Sequence, residues 1–208
     1  MHPNRAFRQA ADDEILAFAR ARSFGVLAMS GPDGPLASHI PFVIGGDGSA
    51  LEAHIVRSNP VHAVLRDAGD HGVEAMMIVS GPDGYVSPDW YGIEDQVPTW
   101  NYVAVHLWGR LRLTAEDELR PHLERLSAQF ESRLQGKTPW RLDKVSEEKY
   151  AALARAIAKV EMEITKTAGT WKLSQNKPDE ARLGAADGVR GAGVGSETDM
   201  LARLMMSA

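Results

Sequence analysis

The chain of 208 residues contains no cysteine. That excludes disulfides, thiolate metal sites and cysteine nucleophiles, and it suits a reducing compartment. It also lacks a long apolar run: no stretch approaches the ~20 consecutive apolar residues that a spanning helix needs. The opening MHPNRAFRQAADDE carries acids early and has no apolar leader core. Nor is there an excess of positive charge. With 23 Lys and Arg against 28 Asp and Glu, the net charge is -5, so the electrostatic footprint of a nucleic-acid binder is absent at the level of the whole chain. A cytoplasmic protein with no membrane segment is the expectation. Against these absences stands an ordinary globular composition, 44% hydrophobic and 25% charged. The length suits one domain with a real core.

Periodicity supplies the elements. Ile15, Leu16, Phe18 and Ala19 lie at helical spacing behind Asp12, Asp13 and Glu14, so a short helix is expected with acids at its positive end. Phe24 to Met29 reads as a strand, and GPDGP after it as a turn. Leu36, Ser38, Ile40, Phe42 and Ile44 alternate with Ala37, His39, Pro41 and Val43, a second strand. Pro41 cannot donate to a ladder and predicts an edge or a bulge there. Leu51 to Arg57 is a third strand. Asn59-Pro60 opens a helix that should close near Gly69. VEAMMIVS, from Val73 to Ser80, is nearly continuously apolar and reads as a central strand buried on both faces. A second GPDG at Gly81 to Gly84 reads as another turn. Thr99 to Leu113 is a long strand, Thr114 with Asp117 looks like the cap of a following helix, and Ser146 caps another. Val160, Met162 and Ile164 mark a last strand. From about Pro178 the chain is polar and rich in glycine, although MLARLMM can dock as a short terminal helix. Short strands, tight turns and helices at the periphery predict an α+β domain built on an antiparallel β-barrel. The expected domain covers residues 1–184, with a partly flexible tail over 185–208.

Three places could carry chemistry. Arg57-Ser58-Asn59-Pro60 sets a guanidinium, a hydroxyl and a capping amide at the start of a helix, where backbone N–H groups favour phosphate. An ordinary N-cap beside a solvated arginine accounts for the same residues. The strand VPTWNYVAVHLWG turns Val103, Val105 and Leu107 to the core, leaving Trp100, Tyr102, His106 and Trp108 on its other side. That much aromatic surface calls for a cover: a second subunit, a planar ligand, or the chain's own helices. Lys172-Leu173-Ser174-Gln175-Asn176 ends the last strand on a set of polar donors and acceptors suited to a heterocycle or phosphate edge, or simply to a polar strand exit. His39 and His54 both fall on the side of their strands away from the core. No histidine sits in a recognised metal spacing and no metal is expected. Phosphate-binding loops, dinucleotide fingerprints and nucleophile elbows are all missing.

Taken in order, ASHIPF at 37–42, AHIVRSNP at 53–60, GPDGYVSPDWY, VPTWNYVAVHLWG and KLSQN resemble the PaiB family of FMN-binding negative transcriptional regulators. The resemblance runs over nearly the whole chain and weakens in the tail. It implies an antiparallel split β-barrel with peripheral helices, related to flavin reductases and pyridoxamine-phosphate oxidase, forming a homodimer with FMN at the subunit interface. On that resemblance Arg57, Ser58 and Asn59 hold the FMN phosphate. His39, Ile40 and Pro41 lie beside the ring or the ribityl chain. Trp100, Asn101, Lys172, Ser174, Gln175 and Asn176 supply further contacts from either subunit, and His54 is a weaker candidate. Three functions then compete: a flavin-binding regulator, an FMN-dependent oxidoreductase on a small aromatic or heterocyclic substrate, and a binding or storage protein for flavin or haem. Direct DNA binding is not supported by the net charge.

Overall fold

The structure is a computed structural model that describes residues 1–208. Seven strands are present: β1 (Phe24–Gly31), β2 (Gly34–Ile44), β3 (Ala50–Val56), β4 (Val73–Val86), β5 (Thr99–Leu113), β6 (Ile157–Lys172) and β7 (Gly195–Ser196). Six helices accompany them: α1 (Asp12–Arg22), α2 (Pro60–Ala68), α3 (Leu119–Glu131), α4 (Glu147–Ala154), α5 (Asp179–Ala192) and α6 (Thr198–Ser207). Strand order is β1-β2-β3-β6-β5-β4-β7, and a further β1–β4 pairing closes six of the strands into a ring. Closure removes the unpaired edges that an open sheet would leave. The fold is the expected antiparallel split barrel with helices outside it. The chain divides into two compact units, one made of Met1–Phe18, Val79–His106 and Ala168–Ala208, the other of Ala19–Ile78 and Leu107–Thr167.

In the second unit β1 and β2 form a hairpin in register from Phe24↔Pro41 to Gly31↔Gly34, turned by Pro32 and Asp33. The β2–β3 ladder covers only Phe42 to Ile44. Pro41 therefore stands where its missing N–H costs no bond to β3, which is how the strand tolerates it. Leu27, Phe42, Leu51, Met77, Leu107 and Met162 are fully enclosed at the centre of this unit. β4 is not buried on both faces. Ala75, Met77 and Val79 are buried, whereas Met76 and Ile78 are half-exposed. A strand of a closed antiparallel barrel has one core face, so an apolar run does not make it a two-sided strand. α2 forms as expected: the Asn59 side chain accepts from the Val61 N–H, Pro60 occupies the first turn, and Gly69 closes the helix with a φ of 57°. Thr114 does not cap α3. A short 3-10 turn at Glu116–Glu118 leads in instead, Glu118 sits at the cap without a side-chain bond, and the buried Thr114 hydroxyl has no partner.

In the first unit the second GPDG is not a turn. β4 runs straight through it, and Asp83 and Gly84 pair with Ser196 and Gly195 of β7. The glycine-rich C-terminal stretch is also more ordered than its composition implies. Residues 179–192 form α5, and the terminal helix α6 follows. Together they bury Ala181, Ala185, Ala186, Val189, Leu201, Ala202 and Met205 against Val86, Tyr91, Val103 and Leu173. Two of the glycines are there for closeness. A Cβ on Gly184 would lie 2.7 Å from the Trp90 carbonyl oxygen, and one on Gly188 2.5 Å from Trp90 Cγ. The small side allows α5 to lie directly on the 3-10 turn Pro88–Tyr91.

Candidate cofactor site

Each unit holds one group of the residues singled out above. In the second unit the group is built where β3 ends and α2 begins. Asn59 does two jobs: Oδ1 accepts from Val61 N–H at 2.9 Å and Nδ2 donates to Ser38 Oγ at 2.8 Å. The second bond ties the helix start to β2, and so to the neighbouring His39. The Arg57 guanidinium donates to the exposed carboxylate of Glu116 at 3.0 Å. Ser58 is exposed and its hydroxyl makes no hydrogen bond in the structure. His62, in the first turn of α2, is buried with Nε2 unpartnered. Burial, and then the charges of Arg57 and Arg66, hold its pKa below the ordinary imidazole value. Positive potential thus gathers where the α2 dipole is also positive. His39 is exposed on β2 and Pro41 half-buried, but Ile40 points into the core at 7% exposure. Only the backbone of Ile40 is available to a ligand.

In the first unit the group surrounds a cavity of about 240 Å³ lined by Tyr91, Asp95, Gln96, Thr99, Asn101, Lys172, Ser174, Asn176 and Lys177, with Asn4 and Phe7 from the N-terminal segment. Asn101 occupies a core position of β5 and is completely buried. Its Nδ2 donates to Ser174 Oγ at 2.8 Å and approaches Met205 Sδ at 3.5 Å. Ser174 Oγ also bonds the Tyr91 hydroxyl at 2.8 Å, and its backbone is left-handed with φ 63°. The Asn101 Oδ1 has no donor. Lys172 donates to Thr99 Oγ1, and burial lowers its pKa. Lys177 donates to Gln96 Oε1 and stands over the Tyr91 ring. Gln175 is taken up in holding the turn. Its Oε1 accepts from Leu173 N–H, and its Nε2 donates to the carbonyls of Trp171 and Ala6. Asn176 is exposed. Trp100, on the opposite face of β5 from Asn101, is 47% exposed.

Tyr91 and Lys177 also line this cavity, although the family resemblance assigns no contact to them. Tyr91 lies in the aromatic segment Tyr85 to Tyr91, whose composition reads equally as a plug and as a flat wall for an aromatic ligand. Lys177 directly follows the KLSQN run, and its nearness to that run was the available signal. His54 is half-buried in β3, where its Nδ1 lies 3.2 Å from His122 Nε2.

The family model described as "Putative FMN-binding domain" matches residues 1–166, and the chain belongs to that family. "Protease synthase and sporulation protein PAI 2" of Bacillus subtilis is 28% identical over 179 residues, covering 85% of this chain and 83% of that protein. A protein of Emericella nidulans is 29% identical over 211 residues, covering 84% of each chain. Among solved structures, the FAD and heme binding protein from Mycobacterium smegmatis superposes with a TM-score of 0.56 at 18% identity, over 91% of this chain and 82% of that one. The flavocytochrome Anf3 from Azotobacter vinelandii gives 0.54 at 16% identity, over 82% and 72%. These two support the fold. No helix is long and apolar enough to cross a membrane.

Proposed function

We propose that this chain is a cytoplasmic, homodimeric FMN-binding protein of the PaiB type with a regulatory role. The observation that carries the proposal is Asn101. A fully buried amide oxygen without a donor, in a cavity edged by two lysines, is an energetic cost that a ligand would relieve. The pyrimidine edge of a flavin presents C2=O, N3–H and C4=O in a row. Asn101 Oδ1 suits the N3–H, and the ammonium groups of Lys172 and Lys177 suit the flanking carbonyls. The cavity of about 240 Å³ is smaller than the ~300–1,000 Å³ usual for a whole ligand, so it suits one edge of the ring system rather than all of it.

The phosphate end has its own fit. Arg57 is held by a single exposed carboxylate that a phosphate can replace, Ser58 has a free hydroxyl, and the α2 dipole favours the anion. His39 and the backbone at Ile40 and Pro41 flank the ribityl chain or the ring. Ser174 and Gln175 keep Asn101 and the KLSQN turn in place, Asn176 offers an exposed amide, and Trp100, on the opposite face of β5 from Asn101, offers a flat apolar wall only to a flavin held by a second copy. Bound FMN supplies electron-transfer chemistry. The residues of the chain bind it, orient it and screen it from water.

Ile93, Val97 and Trp100 are 42%, 73% and 47% exposed, and Tyr102 continues the same face of β5 as Trp100. A second copy covering this apolar surface accounts for it, and two-fold pairing is the commonest arrangement. The regulatory part draws on the name of the Bacillus subtilis relative, which ties that protein to protease synthesis and sporulation. The net charge of -5 favours regulation through a bound ligand or partner over direct contact with DNA. The test is gel filtration with light scattering after loading with FMN. A dimer that retains flavin is expected. A flavin-free protein or a stable monomer would reject the corresponding half of the proposal, and steady NAD(P)H turnover by the loaded dimer would move it to the oxidoreductase class.

A further inference from the structure

Beside β3 in the second unit lies a polar row of which the flavin resemblance names only His54, as a weaker candidate. Glu52 and His54 project from the same face of β3, two residues apart. His122, wholly buried on α3, lies between them, with Nδ1 3.4 Å from Glu52 Oε2 and Nε2 3.2 Å from His54 Nδ1. The charges around the row come from three elements. Arg125 of α3 donates to both Glu52 oxygens, at 2.9 and 2.7 Å. Lys159 of β6, with its side chain 2% exposed, lies 3.4 Å from Glu52 and 3.6 Å from Glu161, and donates to Glu118 of the 3-10 turn at 2.6 Å.

The proton positions follow from this geometry. Burial alone would raise the carboxyl pKa of Glu52, but the Arg125 hydrogen bonds and the Lys159 and Arg125 charges outweigh it and hold the group below its usual range. Glu52 is therefore ionised and can only accept. The nitrogen facing it, His122 Nδ1, must carry a proton, since two lone pairs would otherwise meet. Burial keeps His122 neutral, with its pKa pushed down to about 4, so its Nε2 holds a lone pair. The His54 Nδ1 opposite must then be the donor. One proton is thus committed, and Nε2 of His54, which has no hydrogen bond and is not among the enclosed polar atoms without partners, presents a lone pair outward.

We propose that Glu52 and His122 are positioning residues that lock His54 in the Nδ1-protonated tautomer, so that its Nε2 is a hydrogen-bond acceptor for a ligand presenting an N–H or O–H group. The inference does not depend on the flavin assignment. The lock reverses the preference of a free imidazole, which keeps its proton mainly on Nε2, so it is open to direct observation.

Long-range proton–nitrogen NMR of the full-length, nitrogen-15-labelled chain reads the tautomer, and His54→Gln assigns the signals. At neutral pH the expected result is a protonated Nδ1 and an unprotonated Nε2 on His54, shifting toward the Nε2-protonated form in His122→Phe. An Nε2 proton on His54 in the native chain, or an unchanged tautomer in a folded His122→Phe protein, overturns the proposal. If that variant does not fold, the native spectrum decides alone.

Discussion

Replacing Asn101 with leucine separates a structural role from a binding one. Leucine has the same branched shape and no polar atoms, and the adjoining cavity gives room for its bulkier methyl groups. The substitution removes the Nδ2 bond to Ser174 Oγ, which costs about 1 kcal/mol, and it also removes an unsatisfied buried oxygen, which returns about 1–3 kcal/mol. Ser174 Oγ keeps its bond to the Tyr91 hydroxyl at 2.8 Å and is not orphaned. The balance lies between no change and about 2 kcal/mol of added stability for the protein without flavin. In the ligated protein the same change leaves a flavin N–H facing a methyl group, and the dissociation constant should rise about 5- to 150-fold. Urea unfolding of the apoprotein and a flavin fluorescence titration measure the two sides separately. A variant that is as stable as the parent or more so but binds FMN poorly supports the reasoning, because sites kept for function are where stability is forgone. A variant destabilised by more than about 2 kcal/mol that binds FMN normally would refute it.

Three further outcomes follow from named contacts. Arg57→Ala should weaken FMN about tenfold, the low end for a charge-assisted bond because the side chain is 38% exposed, and leave riboflavin affinity unchanged; competition between the two ligands measures it. Stability should fall as pH is lowered from about 6.5 toward about 4, since across that window the unfolded chain protonates His122 while the folded chain resists; the loss is about 3 kcal/mol, and urea midpoints against pH should show a flatter curve for His122→Gln. Gly109→Ala should destabilise by about 3 kcal/mol or more, because the added Cβ would overlap the backbone of Glu163, with its carbonyl carbon only 2.8 Å away; Gly46→Ala, with nothing within 4 Å, should stay within about 0.5 kcal/mol in the same thermal melts.

Local patterns were readable where one strong signal dominated. The alternation through Val103, Val105 and Leu107 assigned the faces of β5 correctly, and Asn59-Pro60 marked the start of α2 to the residue. The misreadings came from partners distant in sequence. Gly81-Pro82-Asp83-Gly84 has turn chemistry, yet β7 pairs with Asp83 and Gly84 and keeps it extended. Gly184 and Gly188 look like linker residues until Trp90 is placed against them. For the candidate site, motifs pointed to several of the residues that line the cavity, but not to their states. Nothing local shows that Asn101 Oδ1 lacks a donor or that Gln175 is spent on its own turn, whereas the alternation of β2 already turned Ile40 to the core side and so argued against its side chain as a ligand contact. The row of Glu52, His54, His122 and Lys159 joins β3, α3 and β6 across about 70 and more residues of sequence, beyond the reach of any spacing rule.

The most direct measurement is an equilibrium titration of the purified chain with FMN, followed by flavin fluorescence and repeated with Asn101→Leu and Arg57→Ala. Saturable binding of one flavin per chain, weakened by each substitution, is the predicted result. Failure to bind FMN, or binding that neither substitution alters, would contradict the central claim that Asn101 and Arg57 each contact bound flavin.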